Sequence, residues 1–208
     1  MSEEKLSVEE ETAKKLLEEK DSESRLRNYS GPMGIIVSVC LCLWTGFQLY
    51  YSTAGVISAI NLRAFHCIFL LAFTFLLYPS FKSQKRNRKF PPVEDILLTG
   101  AGIFSFGYLI LHYTEIAQTG GRITDFQAWV AAIALLVVFE ASRRTSPNLA
   151  ILAAVFLAYN FLGKYIPGQL GHSGFTLKRV LITQFWGTQG VLGTGISVSA
   201  TYIFLFVV

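Results

Sequence analysis

VISAINLRAFHCIFLLAFTFLLY, residues 56–78, is the stretch whose reading decides the fold. As a helix it rises about 1.5 Å per residue and reaches ~34 Å, enough to cross a hydrocarbon layer of about 30 Å. It carries a single formal charge, Arg63, and an apolar run of this length with so little charge reads as a transmembrane helix. Two readings of Arg63 stand. A charge inside a membrane segment is functional by default; alternatively the span begins nearer Ala64, and Asn61 and Arg63 snorkel to the outer headgroups. The second is the expectation. His66, one turn on, is expected to be hydrogen-bonded structure rather than a ligand, and Gln48 on the preceding span is a candidate partner if Arg63 is buried instead.

Four further apolar segments surround it, at about 34–51, 93–112, 126–141 and 148–162. Their starts carry helix punctuation: Pro32, the Pro91-Pro92 pair followed by Glu94 and Asp95, the Thr124/Gln127 capping box, and Ser146-Pro147 as N-cap and first-turn proline. Hydrophobic residues make up 52% of the chain and charged ones 15%, a membrane composition. The expected fold is therefore an all-α polytopic transmembrane bundle of five complete spans, in contact with the lipid bilayer. The run VSATYIFLFVV, 198–208, is about half of a span. It is read as a truncated sixth span, making the chain the front part of a larger membrane protein.

Nine of the fourteen acidic side chains lie in the first 23 residues, so residues 1–28 read as an acidic tail. Ser7 and Glu10 have capping-box spacing, and Glu10/Lys14 and Glu11/Lys15 are i,i+4 pairs, which suits a solvated helix over 7–20. The formal net charge of +4 averages this tail with a basic body and implies no nucleic acid, because no basic stripe is interleaved with aromatics. Cytoplasmic loops of membrane proteins gather Lys and Arg. Six fall in the tail; Lys82, Lys85, Arg86, Arg88 and Lys89 follow the second span, and Arg143 and Arg144 follow the fourth, thirteen of eighteen in all. Only Arg122, Lys164, Lys178 and Arg179 fall on the other side. The amino terminus is expected inside and 163–195 outside.

Ala150, Ala154 and Ala158, with Ala101/Ser105 and Gly100/Gly107, are small-residue stripes that would let helices approach. Over 175–186, Leu177, Val180, Leu181 and Phe185 share one face, which suits an amphipathic helix in the interface, ending at headgroup level on Trp186. Gly187, Gly190, Gly193 and Gly195 are expected to form a flexible turn. Glu140 with Arg143 and Arg144 reads as a boundary salt bridge. Cys40 and Cys42 point about 200° apart on a helix and cannot share a metal; with Cys67 they read as apolar fillers. His172-Ser173 lacks a nucleophile elbow, and no phosphate-binding or dinucleotide fingerprint is present. No catalytic residue, cofactor or metal ligand is assigned, and an enzyme is not expected.

FLGKYIPG (161–168), GHSGF (171–175) and the glycine-rich turn into SVSATYIFLF (197–206) resemble, in order and spacing, the junction region of fused permeases of the tripartite ATP-independent periplasmic (TRAP) transporters, in the subgroup served by TAXI-type receptors. The resemblance covers about 25–208. It implies a four-span small-subunit-like scaffold at 29–145 and, from 146 to 208, the start of a large-subunit-like transport part. It further implies a sodium-coupled importer in a bacterial inner membrane that takes an organic anion, often a carboxylate, from a periplasmic TAXI-type receptor. Substrate and sodium sites would lie beyond Val208, in the remainder of the permease. A competing reading is a non-transporting structural or assembly protein; a membrane-embedded enzyme lacks converging polar residues within the spans.

Overall fold

The computed structural model describes residues 26–29, 31–81, 87–88, 90–120 and 122–207. The expected helix at 7–20 and the basic residues Lys82, Lys85, Arg86 and Lys89 lie outside them. Five long helices, α1 (Pro32–Thr53), α2 (Ala59–Leu77), α3 (Val93–Gln118), α4 (Asp125–Thr145) and α5 (Pro147–Leu162), are followed by two short turns of 3₁₀-helix. Next comes α6, an α-helix over Leu177–Leu181 continued by a π-helical stretch, Ile182–Trp186. Last is α7, Thr194–Val207, with a π-helical stretch at Ser199–Ile203 in its middle. The fold is all-α, save for a two-residue parallel pairing of β1 (Asn28–Tyr29) with β2 (Asn87–Arg88).

α1 to α4, and α5 together with the 3₁₀ turn that carries it on to Tyr165, are long and apolar enough to cross a membrane, and the chain is a multi-pass membrane protein. Most of their starts follow the predicted punctuation. Pro32 and Pro147 stand in first turns. Thr124 Oγ1 accepts from the Gln127 amide at 3.3 Å while Gln127 Oε1 accepts from the Thr124 amide at 2.8 Å, so both halves of the capping box form. Ser58 caps α2, accepting from the Asn61 amide at 3.2 Å. One end differs: α3 runs on past His112 to Gln118. The imidazole stacks on Tyr108 with centroids 4.1 Å apart and bonds the Tyr108 carbonyl, so the polar ring stays on the helix instead of ending it. The stop comes at Gly120, whose φ of 68° suits a residue without Cβ.

The core lies between α2, α3 and α4, closed by α6 and the turn before α7. Phe75, Phe106, Leu109, Ala131, Ala134, Phe185 and Leu192 are fully buried in it. α1 and α5 are peripheral, burying only Val37 and Gln48, and Ala150, respectively. The small-residue stripes are thus only partly used: Ser105 and Ala150 face inward, but Ala154, Ala158 and Gly100 are exposed. Close approach occurs at Gly102 instead, where an added Cβ would stand 3.3 Å from Leu71 and 3.5 Å from Val137.

α6 is amphipathic with most of the expected face, Leu177 excepted. Leu177 is exposed while Val180, Leu181, Phe185 and Trp186 are buried. Trp186 turns into the bundle, not toward the headgroups, because its indole N–H finds the Gln127 carbonyl at 3.3 Å and its ring meets Tyr108 and Phe185. The turn after it is pinned, not loose. Gly190 sits so close against Gln184 backbone that no Cβ fits, the Val191 amide bonds the Gln184 carbonyl at 2.8 Å, and Leu192 is buried.

Overpacking a close helix crossing costs about 1–3 kcal/mol. Gly102→Leu is expected to lower the thermal unfolding midpoint in detergent clearly, whereas Gly100→Leu, with open space around its Cβ position, should leave it unchanged; equal midpoints would show that Gly102 is not a contact point.

Candidate functional site

Polar side chains concentrate at two places. The first is the end of the bundle where α2 and α4 finish and α3 starts. The last carbonyls of a helix have no partner within it, and here side chains supply them: the Arg27 guanidinium donates to Phe75 O at 3.2 Å, the Arg27 amide to Leu77 O at 2.8 Å, the Tyr29 hydroxyl to Leu76 O at 2.7 Å, and the Arg144 guanidinium to Tyr78 O at 3.2 Å. Between the two arginines lies Asp95, in the first turn of α3 and fully buried. Its Oδ2 accepts from Arg27 at 2.5 Å and its Oδ1 from Arg144 at 2.7 Å. Arg144 also bonds Glu140 at 2.8 Å and lies over the Phe75 ring, 4.9 Å from its centroid.

Each charge suits its helix end: guanidiniums close α2, whose carbonyl end is negative, and a carboxylate opens α3, whose amide end is positive. Glu140 and Arg143, from the predicted boundary cluster, form the exposed outer part, joined at 2.8 Å. Arg144 instead points inward, its side chain 1% exposed. Asp95 and Arg27 were not singled out by sequence reasoning, which took Asp95 as a first-turn charge and Arg27 as part of a solvated tail. A signal existed: Asp95 is one of few acidic residues outside the tail, at the start of an apolar helix.

The second place is a seam joining α1 and α2 to α7. Arg63 donates to Leu192 O at 2.9 Å in the turn before α7. It is half-buried and tied to backbone. His66 Nε2 meets Ser199 Oγ at 3.1 Å. Gln48 does not partner Arg63: its amide nitrogen bonds Ala200 O, which also accepts from Ser52 Oγ at 3.1 Å. Ser199 and Ala200 begin the π-helical stretch, and such wide turns disturb the regular carbonyl ladder, which lets Ala200 O serve side chains of α1. Around the seam Trp44 packs against His66, Phe69, Phe73 and Phe204 at centroid distances of 5.4–5.8 Å. The remaining polar atoms Gln48 Oε1, His66 Nδ1 and Trp44 Nε1 are buried without a hydrogen-bond partner among the described residues.

Elsewhere, His172 is a loop clamp. Its Nδ1 accepts from the Gly174 amide at 3.0 Å and its Nε2 donates to Tyr159 O at 3.2 Å, which leaves no ring nitrogen to activate Ser173. Cys67 is buried, as a filler should be, while Cys40 and Cys42 are exposed.

No family model, no curated protein and no solved structure matches this chain.

Breaking a buried ion pair from one side leaves an uncompensated charge and costs about 3–5 kcal/mol, whereas an exposed pair contributes at most ~1 kcal/mol. Asp95→Ala is therefore expected to collapse folded yield and heat resistance, and Arg143→Ala to change them little. Size-exclusion recovery after a heating series checks both, and a well-folded Asp95→Ala protein would remove the buried cluster from the account.

Proposed function

We propose that this chain is the amino-terminal scaffold portion of a secondary transporter, its four-span body at 29–145 held fixed while a transport part that starts at 146–208 moves against it. The observation that carries this reading is the buried Arg27–Asp95–Arg144 cluster, which binds the ends of α2, α3 and α4 into one body at a membrane boundary. A solute-binding region must rearrange, whereas a network of desolvated charges resists separation because each partner left behind is costly. The seam at α7 supports the same reading, since it fastens that helix by a few side-chain bonds to backbone carbonyls. Together with the junction resemblance, this favours a TRAP-type permease of the TAXI subgroup, a sodium-coupled importer of an organic anion in a bacterial inner membrane. The thirteen-to-four distribution of Lys and Arg supports a cytoplasmic amino terminus.

A second reading, a structural or assembly protein, is favoured by the exposed face of α5, where Ala154 and Ala158 leave room for a partner helix.

Topology is checked first: reporters fused after Arg88 and Arg144 should read cytoplasmic and those after Gly120 and Gly171 external; a cytoplasmic Gly171 reporter would overturn the orientation. Transport is checked in vesicles holding this chain, given a sodium gradient and a TAXI-type receptor loaded with labelled organic anion. Uptake should equal that of empty vesicles, and receptor-dependent accumulation would replace the scaffold with a complete transporter.

A further inference from the structure

A groove of about 360 Å³ runs between α4 and α5, beneath the turn that follows α6. Val138 and Phe139 of α4 and Phe156 and Leu157 of α5 form its shaft. Its polar groups are separated along its length. Ser142 stands toward the Ser146 corner where the two helices join, and Asn160 stands near the opposite end of α5, with Gln184 of α6 also lining the groove.

We propose that this groove holds one phospholipid by an acyl chain, with a glycerol ester at Gln184 and the phosphate beyond it, toward Lys164 and Arg179. Both walls are helices long and apolar enough to cross a membrane, so the groove opens into the bilayer and the molecules at its mouth are lipid chains. Its volume is that of a ligand pocket, and the apolar shaft with a few carboxamides at one end matches an amphipath rather than a soluble polar solute. Charge points the same way. Lys164 lies just past the end of α5 and Arg179 precedes Gln184 on α6; both side chains stand over aromatic rings, of Tyr165 and Phe175, at 4.8 and 5.3 Å. Of the acidic residues on that side, Glu115 lies on α3, outside the groove lining, and Asp125 is engaged by Lys178 at 3.0 Å. At the other end Arg143 is held by Glu140, and Arg144 by Glu140 and Asp95. Among the described side chains near the groove, Lys164 and Arg179 are the cations that no carboxylate holds, and they draw a phosphate to the Asn160 end. The assignment needs only the membrane location of α4 and α5, not a transport role.

Native mass spectrometry of the full chain, released from mild detergent, tests it. The unchanged protein should retain one phospholipid per chain. Ala153→Trp, whose indole would fill the groove lined by Ala153, should lose it, while Leu152→Trp, on the exposed face of the same helix, should keep it. Lys164→Gln combined with Arg179→Gln leaves the shaft intact and should release the lipid at lower collision energy, which keeps the test decisive if Ala153→Trp does not fold. No retained lipid in the unchanged chain, retention unaltered by the groove-filling and charge variants, or a lipid-free dimer abolished by Ala153→Trp would each overturn the proposal, the last in favour of a second copy in the groove.

Discussion

The Asp95 carboxylate, shared between Arg27 and Arg144, is the contact on which the rest of the bundle depends. Removing a carboxylate and two guanidiniums from water costs several kcal/mol per ion, and their attraction repays this only when the remaining donors and acceptors are also satisfied. Here several of them are engaged by the closing carbonyls of α2, from Phe75 to Tyr78, and by Glu140. The cluster therefore does two things at once. It ends a helix that has no capping glycine, and it fixes the order in which α2, α3 and α4 meet. A segment that is otherwise short and extended, Arg27 to Tyr29, becomes part of the core by supplying one of the two cations.

At the α7 seam the fastening is of another kind. Between membrane helices, association rests on packing and on interhelical hydrogen bonds of modest size, about 1–2 kcal/mol each. The bonds from Arg63, Gln48 and Ser52 go to backbone carbonyls of Leu192 and Ala200, and the wide turn at Ser199–Ile203 offers one of those carbonyls sideways. Contacts of this size hold a helix in place without making its displacement prohibitive, in contrast to the charged cluster at the bundle's end. That difference in strength is what separates a fixed body from an attached, movable helix in the proposed scaffold.

Much of the fold was legible because its causes are local. Five apolar runs, two prolines in first turns and a Thr124/Gln127 box place the helices to within a few residues, the far end of α3 excepted. The long-range features were not legible. Nothing near Asp95 in the chain announces Arg27, 68 residues earlier, and a tail rich in charge hides one arginine that turns inward. The inward face of a membrane helix was equally hidden: Gly102 and Gly100 look alike in sequence, and only the arrival of Leu71 and Val137 distinguishes them. Trp186 was misplaced for a related reason, since an indole suits a headgroup layer or a buried carbonyl alike, and the choice was made by Gln127 on another helix. For the seam, Arg63 and His66 could be picked out as unusual, but their partners, Leu192 in a turn and Ser199 on α7, lie more than 120 residues later.

The central claim is most directly tested by a double-mutant cycle between Asp95 and Arg144, using Asp95→Asn, Arg144→Met and the pair, with unfolding followed in mixed micelles. Directly bonded groups in one buried network couple by about 0.5–3 kcal/mol, and a desolvated ion pair belongs at the upper end. The account predicts that the double variant is far more stable than the sum of the two single losses allows. Additive losses, with a coupling near zero, would contradict it and make Asp95 an ordinary helix-start residue.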